Sequence, residues 1–122
     1  NKNINFKKMN SVKLIACKKK YDLIWIDGAH GYPVVCIDII NSLNLINDNG
    51  LIICDDIITD LDYLNSDKMY RSIAAYETID QLKKVNLINF ELIYKRLSAE
   101  HNSTKNSRKY IAIIKKNEKI NF

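Results

Sequence analysis

The chain has 122 residues, the size of one domain, with 47% hydrophobic and 27% charged residues, ordinary values for a soluble globular protein with room for a core. Its net charge is +5 and its pI about 9.1, yet the basic residues lie at Lys2–Lys20 and from Lys68 onward, and Tyr21–Asp67 contains many aspartates and no Lys or Arg. A concentrated acidic centre suits a cation better than a phosphate backbone, so nucleic acid is not an expected partner.

No apolar run approaches the roughly 20 residues of a membrane span, and no signal peptide is visible. A cytoplasmic protein with no membrane partner is expected. Cys17, Cys36 and Cys54 are widely spaced among apolar residues, a pattern of reduced core thiols rather than a zinc site or a disulfide framework. The chain opens on Asn1 rather than Met, which reads as a fragment.

Asn3–Met9 reads as a short strand with Ile4 and Phe6 on one face. Asn10 or Ser11 then caps a short helix over Val12–Lys19, with Leu14 and Ile15 inward and Lys18–Lys20 in the last turn, where cations suit the helix dipole. Tyr21–Asp27 is a strand whose continuous apolar run implies burial on both faces of a parallel sheet. After the turn Gly28–Gly31, Pro33 fits the first helical position. The helix runs to about Ile46, with either Val34, Ile37, Ile40 and Leu43 or Val35, Ile39 and Ile46 as its apolar stripe, and with Asp38, Asn41 and Ser42 on the wetter side. Asn47–Gly50 ends the helix, and Leu51–Asp55 is a second buried strand.

Strand, helix, strand in one parallel sheet places Asp27 and Asp55/Asp56 at the same sheet edge. Neighbouring strands are about 4.8 Å apart, so the carboxylates can share one ion. Side chains alternate along a strand, so Asp55 and Asp56 reach the same ion only if the chain turns at Asp56. Ile58–Asn65 is then a loop, and Ser66 caps a long helix to about Val85, with Met69, Ile73, Tyr76, Ile79 and Leu82 as its core face. Phe90–Leu97 and Lys109–Lys115 form an antiparallel pair joined by the polar segment Ser98–Arg108, which holds a solvent-exposed His101. The chain is one partial domain, with residues 116–122 a frayed tail.

The motif YDLIWIDGAHGY, followed by a helix and then by NGLIICDDI, resembles the C-terminal half of class I S-adenosylmethionine-dependent methyltransferases. It looks most like the subgroup of metal-dependent sugar O-methyltransferases and cephalosporin-hydroxylase-like proteins, and the resemblance runs from about Asn10 to Lys115. It implies an α/β fold, a partial Rossmann-like sheet carrying strands 4, 5, 7 and 6 of the family order 3-2-1-4-5-7-6, with the last strand antiparallel. It also implies a divalent cation, Mg²⁺ or a similar hard ion, on Asp27, Asp55 and Asp56. The ion would lower the pKa of an acceptor hydroxyl, whose oxygen attacks the sulfonium methyl in line. His30 would accept the hydroxyl proton, and Ala29, standing where many relatives carry a carboxylate, leaves more of that task to His30. Tyr32 matches the family's tyrosine as a packing residue. Asn10 and Ser11, at the turn near the adenine, and Asp27 and Gly28 would contact S-adenosylmethionine.

The family's cofactor is cradled by a Gly-rich turn in βα units that would precede Asn1; this chain has three glycines and no G-x-G. The 122 residues alone are therefore expected to bind S-adenosylmethionine weakly or not at all. Without the missing strands Tyr21–Asp27 would be an exposed apolar edge prone to self-association, which makes a homo-oligomer an open expectation. The acceptor would be a small-molecule hydroxyl, sugar-like if the subgroup holds. Two other readings stay open. One is a metal-dependent phosphoryl-transfer or receiver-type α/β domain, disfavoured by the lack of Lys in Tyr21–Asp67. The other is a non-catalytic methyltransferase-like binding module.

Overall fold

The computed structural model describes residues 2–59, 72–97 and 108–117. A 3-10 helix at Ser11–Ala16 leads into β1 (Tyr21–Ile26), α1 (Val34–Leu45), β2 (Ile46–Ile58), α2 (Ala74–Lys84), β3 (Ile88–Leu97) and β4 (Arg108–Lys116). The four strands form one sheet in the order β1-β2-β4-β3; β1 and β2 are parallel, and β4 runs antiparallel to both neighbours. This mixed α/β sheet carries the strand order 4-5-7-6 that the resemblance implies.

One face of the sheet carries the core. Ile26, Ile52, Cys54, Ala112, Ile114 and Ile88 are buried there against Val35, Ile39 and Leu43 of α1 and Ala75 and Ile79 of α2. Of the two stripes open to α1, the one through Val35 and Ile39, extended by Leu43 and Ile46, faces inward, whereas Ile40 is exposed. Asn41 and Ser42, expected on the wet side, are buried: Asn41 donates to the Ser11 carbonyl, and Ser42 to the Asp38 carbonyl one turn back. Burial costs a polar side chain little when backbone acceptors satisfy it. The other sheet face is open among the described residues, with Leu23 57% and Trp25 54% exposed. The expected burial of β1 on both faces therefore does not occur; its run is continuous, but helices cover only one side.

Residues 4–10 form no strand and are exposed, because no strand lies beside them among the described residues. The next helix is a 3-10 turn that stops at Ala16, short of Lys18–Lys20. Asn10 caps it by accepting from the Val12 amide, Leu14 is half-buried, and Ile15 is 77% exposed rather than inward. Lys20 instead donates to the Asn44 carbonyl at the end of α1, a favourable place for a cation. Pro33 takes the N-cap position of α1, one residue before the expected place.

Asn47–Gly50 is not a separate loop. β2 begins at Ile46, directly after α1, and the four residues bulge between the pairs Tyr21↔Ile46 and Leu23↔Leu51. Asn47 donates to the Asp22 carboxylate, and the Lys116 ammonium reaches Asp48 and the Ile46 carbonyl. Lys116 and Asn117, placed by the sequence in a frayed tail, are thus held: Lys116 closes β4, and the Asn117 amide donates to the Leu87 carbonyl. Residues 118–122 lie outside the described residues, as do Asp60–Arg71, with Ser66 and Met69, and Ser98–Ser107, with His101.

The core face of α2 matches its spacing at Ile79, which is buried, and at Tyr76 and Leu82 at the margin; Ile73, expected on that face, caps the helix start instead, and Ala75 is buried. The helix ends in a Schellman turn: Asn86 takes a positive φ of 61°, its amide donates to Lys83, and Leu87 donates to Leu82.

Gly50 is where the bulge is tightest. A Cβ there would lie 2.6 Å from the Ile46 side chain and 2.8 Å from the Asp22 backbone oxygen. The side chain can yield, but the backbone oxygen sits inside β1 between two paired residues, Tyr21 and Leu23. Gly50→Ala is expected to lower stability by about 1–3 kcal/mol, read as a shift in the urea midpoint; an unchanged midpoint would show that the bulge relaxes freely.

Candidate active site

β1 and β2 leave the sheet side by side, with Ile26 paired to Cys54. Asp27 follows directly on β1, and the turn to α1 carries His30 back over the strand ends. On β2 the next two residues are Asp55 and Asp56. Between the pairs Cys54↔Ala112 and Ile57↔Tyr110 the strand holds one residue more than β4, and Asp56 absorbs it with a left-handed φ of 54°. Aspartate tolerates that region better than most residues, and the Asp56 amide donates to Asp55 Oδ1 at 2.7 Å. The sequence required a turn here if Asp55 and Asp56 were to reach one ion; the turn is present, but it sends Asp55 to Lys95 instead. A β-bulge re-aims side chains in this way.

A second bulge answers it from β3, where Tyr94↔Tyr110 and Arg96↔Lys109 leave Lys95 unpaired in the ladder. Lys95 Nζ lies 2.7 Å from Asp55 Oδ1 and 3.3 Å from Asp56 Oδ1. Lys109, with a side chain only 8% exposed, brings its ammonium to 3.5 Å from the same Asp56 oxygen, and Arg96 approaches it at 3.9 Å. The other oxygen, Asp56 Oδ2, faces His30 Nε2 at 3.4 Å, and Asp27 Oδ1 stands 3.9 Å from that nitrogen. His30 Nδ1 is buried and has no hydrogen-bond partner. Nε2 is therefore the nitrogen that faces the strand ends, flanked by two carboxylates.

Burial pushes the Asp56 carboxyl up, but the Lys109 charge, the hydrogen bond and charge of Lys95, and the His30 ring together outweigh it and hold the group below the ordinary carboxylate range. Lys95 is raised, chiefly by its hydrogen bond to Asp55, against a smaller opposing effect of burial. Beneath them the Cys54 thiol is pushed up to about 12 by burial and then by Asp55, Asp38, Asp27 and Asp56.

The structure gathers Asp27, His30 and Asp56, whose candidate ligand atoms all lie within 4.8 Å of one another. Asp55 is not in that group; its carboxylate is taken by Lys95 and by the Asp56 amide. Gly28 is at the same turn, with Asp38 of α1 beside it: Asp38 Oδ2 lies 3.7 Å from where a Gly28 Cβ would stand. Asp38 Oδ1 is buried without a hydrogen bond, so the residue read as solvent-facing lies under the turn. Tyr32 is 81% exposed and packs on nothing in the core. Asn10 spends its side chain on capping, and Ser11 lines a separate open cleft of about 660 Å³ with Phe6, Met9, Leu14 and Tyr21.

Lys95, Lys109 and Arg96 were not legible as site residues, because they are distant in sequence from the aspartates. One signal did exist. The Arg96↔Lys109 pair sets two cations opposite each other across strands, which is unfavourable unless an anion lies between them. Asp56 is that anion.

A family model described as a methyltransferase domain matches residues 2–57, just under half of the chain. The crystal structure of a Klebsiella pneumoniae protein described as an O-methyltransferase is similar over 84% of this chain, with a TM-score of 0.55 and 17% identity. The chain spans 44% of that protein's length. A precorrin 8w decarboxylase from Methanobacterium thermoautotrophicum is more distantly similar, with a TM-score of 0.43 and 16% identity over 89% of this chain and 52% of its own. No curated protein matches the sequence.

Because the folded Asp56 pKa lies below its ordinary 3.8, the stability it contributes is complete above that value and lost as pH falls through the lowered folded one. Urea midpoints measured from pH 6 downward should fall for wild type, and Asp56→Asn should start lower and change less; parallel curves would remove Asp56 from the acid response. With the side chain of Cys54 fully buried and its thiol pushed up to about 12, a thiol reagent should label half-buried Cys17 and Cys36 in the folded chain and reach Cys54 only in denaturant. Labelling of all three at equal rates would contradict that burial.

Proposed function

The chain has the fold of class I S-adenosylmethionine-dependent methyltransferases, and from that premise we propose that it forms the acceptor side of an enzyme methylating a hydroxyl of a small, sugar-like molecule. The observation that carries the reading is His30 Nε2, set between the Asp27 and Asp56 carboxylates at the ends of two adjacent parallel strands. In open α/β sheets ligands bind outside the carboxyl ends of the strands.

The Asp27 and Asp56 carboxylates would offer a hard divalent cation, Mg²⁺ or Mn²⁺, two oxygen ligands, which leaves His30 Nε2 beside it free to accept a proton. Such an ion lowers the pKa of an acceptor hydroxyl when bound. When bound, S-adenosylmethionine would supply the methyl group, the acceptor oxygen gaining the C–O bond as the C–S bond breaks with its electron pair left on sulfur. His30 takes the hydroxyl proton at Nε2, and the flanking carboxylates stabilise the imidazolium that results. Lys95 and Lys109 hold Asp56 so that its second oxygen stays turned toward the ring.

His30→Ala in the full-length polypeptide is expected to lower methyl transfer from labelled S-adenosylmethionine to a sugar acceptor by about 10²–10⁴-fold. Activity equal to wild type would remove His30 as the base. A chelator should abolish transfer and Mn²⁺ or Mg²⁺ restore it if the cation takes part. The 122 residues alone should show no micromolar binding of S-adenosylmethionine in calorimetric titration, since they carry no glycine-rich cradle.

A further inference from the structure

Resting on the cation-assisted reading above, we infer that Lys95 is the resident counter-cation of the Asp55–Asp56 pair and sets how tightly the centre takes a divalent ion. Two bulges on opposite sides of β4 bring these residues together: Asp55–Asp56 on β2 and Lys95 on β3 are the positions where the ladders to β4 break step. Beyond the bulges the pairs include Arg96↔Lys109, Leu97↔Arg108 and Ile58↔Lys109, so the displacements fall where the apolar ladder gives way to charge. Their common product is an ammonium bridging two carboxylates, at 2.7 and 3.3 Å.

The two lysines at Asp56 are not equivalent. The Lys109 side chain is 8% exposed and fixed in β4, whereas the Lys95 side chain is 28% exposed. Its flexible stem can swing toward solvent without opening the core. Asp55, at 10% exposure, depends on Lys95 for its only side-chain cation among the described residues. Asp56 divides its oxygens: Oδ1 faces the lysines, and Oδ2 faces His30 and the candidate cation position. A divalent ion on Asp27 and Asp56 would therefore share one carboxylate with Lys95 and be repelled by it at a separation of a few ångströms. That repulsion weakens cation binding while Lys95 is in place and disappears when its charge is removed.

The test is Mn²⁺ binding to the full-length polypeptide, followed by loss of the free-ion paramagnetic resonance signal, with no acceptor or methyl donor present. Lys95→Met should bind Mn²⁺ roughly tenfold or more tightly than wild type. Lys95→Arg, which keeps the charge, should stay within about twofold of wild type. Lys95→Met leaves Asp55 uncompensated and is expected to melt earlier without Mn²⁺ and to recover with it. Lys95→Gln keeps a hydrogen-bond donor for Asp55 and tests the charge in a chain that holds its fold. If wild type binds Mn²⁺ and neither neutral variant binds it more tightly, the role given to Lys95 is overturned while the cation-assisted reading stands. If no variant binds Mn²⁺, both are overturned.

Discussion

The site depends on one backbone conformation. Asp56 holds a φ of 54° inside a strand, where a regular extended residue would send consecutive carboxylates to opposite faces. The left-handed step costs an L-residue of the order of 1–2 kcal/mol, and it persists because several interactions agree on it. The Asp55 carboxylate accepts from the Asp56 amide, and three cations converge on Asp56 Oδ1. The bulge turns a ladder strand into a support with two outputs: Asp55 toward β3, and Asp56 toward both β3/β4 and the β1 turn.

Charge balance follows from that geometry. Nearly buried carboxylates and a buried ammonium would each be costly alone, and removing one partner of such a set is far more damaging than never having built it. Here the acidic strand ends from the first half of the chain are matched by cations from the last third. The pairing closes the sheet electrostatically across β4 and leaves one oxygen of Asp56, with Asp27 and His30, facing the strand ends. The Cys54 thiol lies under these carboxylates, and burial and their charge keep it protonated.

The sequence disfavoured a receiver-type domain because Tyr21–Asp67 lacks lysine, yet Lys95 and Lys109 reach the aspartates in space. What separates the fold from a doubly wound, mostly parallel sheet is β4, antiparallel to both of its neighbours. Topology makes the distinction that composition could not. The open sheet face, with Leu23 and Trp25 exposed, is likewise a property of which helices are present rather than of the strand's own pattern.

Although it left two stripes open for α1 and read residues 3–9 as a strand that does not form, the sequence by itself determined the other strands, the antiparallel final pair and the placing of Asp27 and Asp55/Asp56 at one edge. These follow from local periodicity and from short connections that permit few arrangements. It also identified the turn needed at Asp56, since side-chain alternation is a local rule. Only the tertiary structure decided which carboxylate does what. Whether Asp55 faces an ion or a lysine depends on ladder register across β4, and register is set by pairing with segments distant in sequence, such as Cys54 with Ala112. Asn41 and Lys116 went inward for the same reason: their partners, Ser11, Ile46 and Asp48, include backbone groups whose positions no local pattern records.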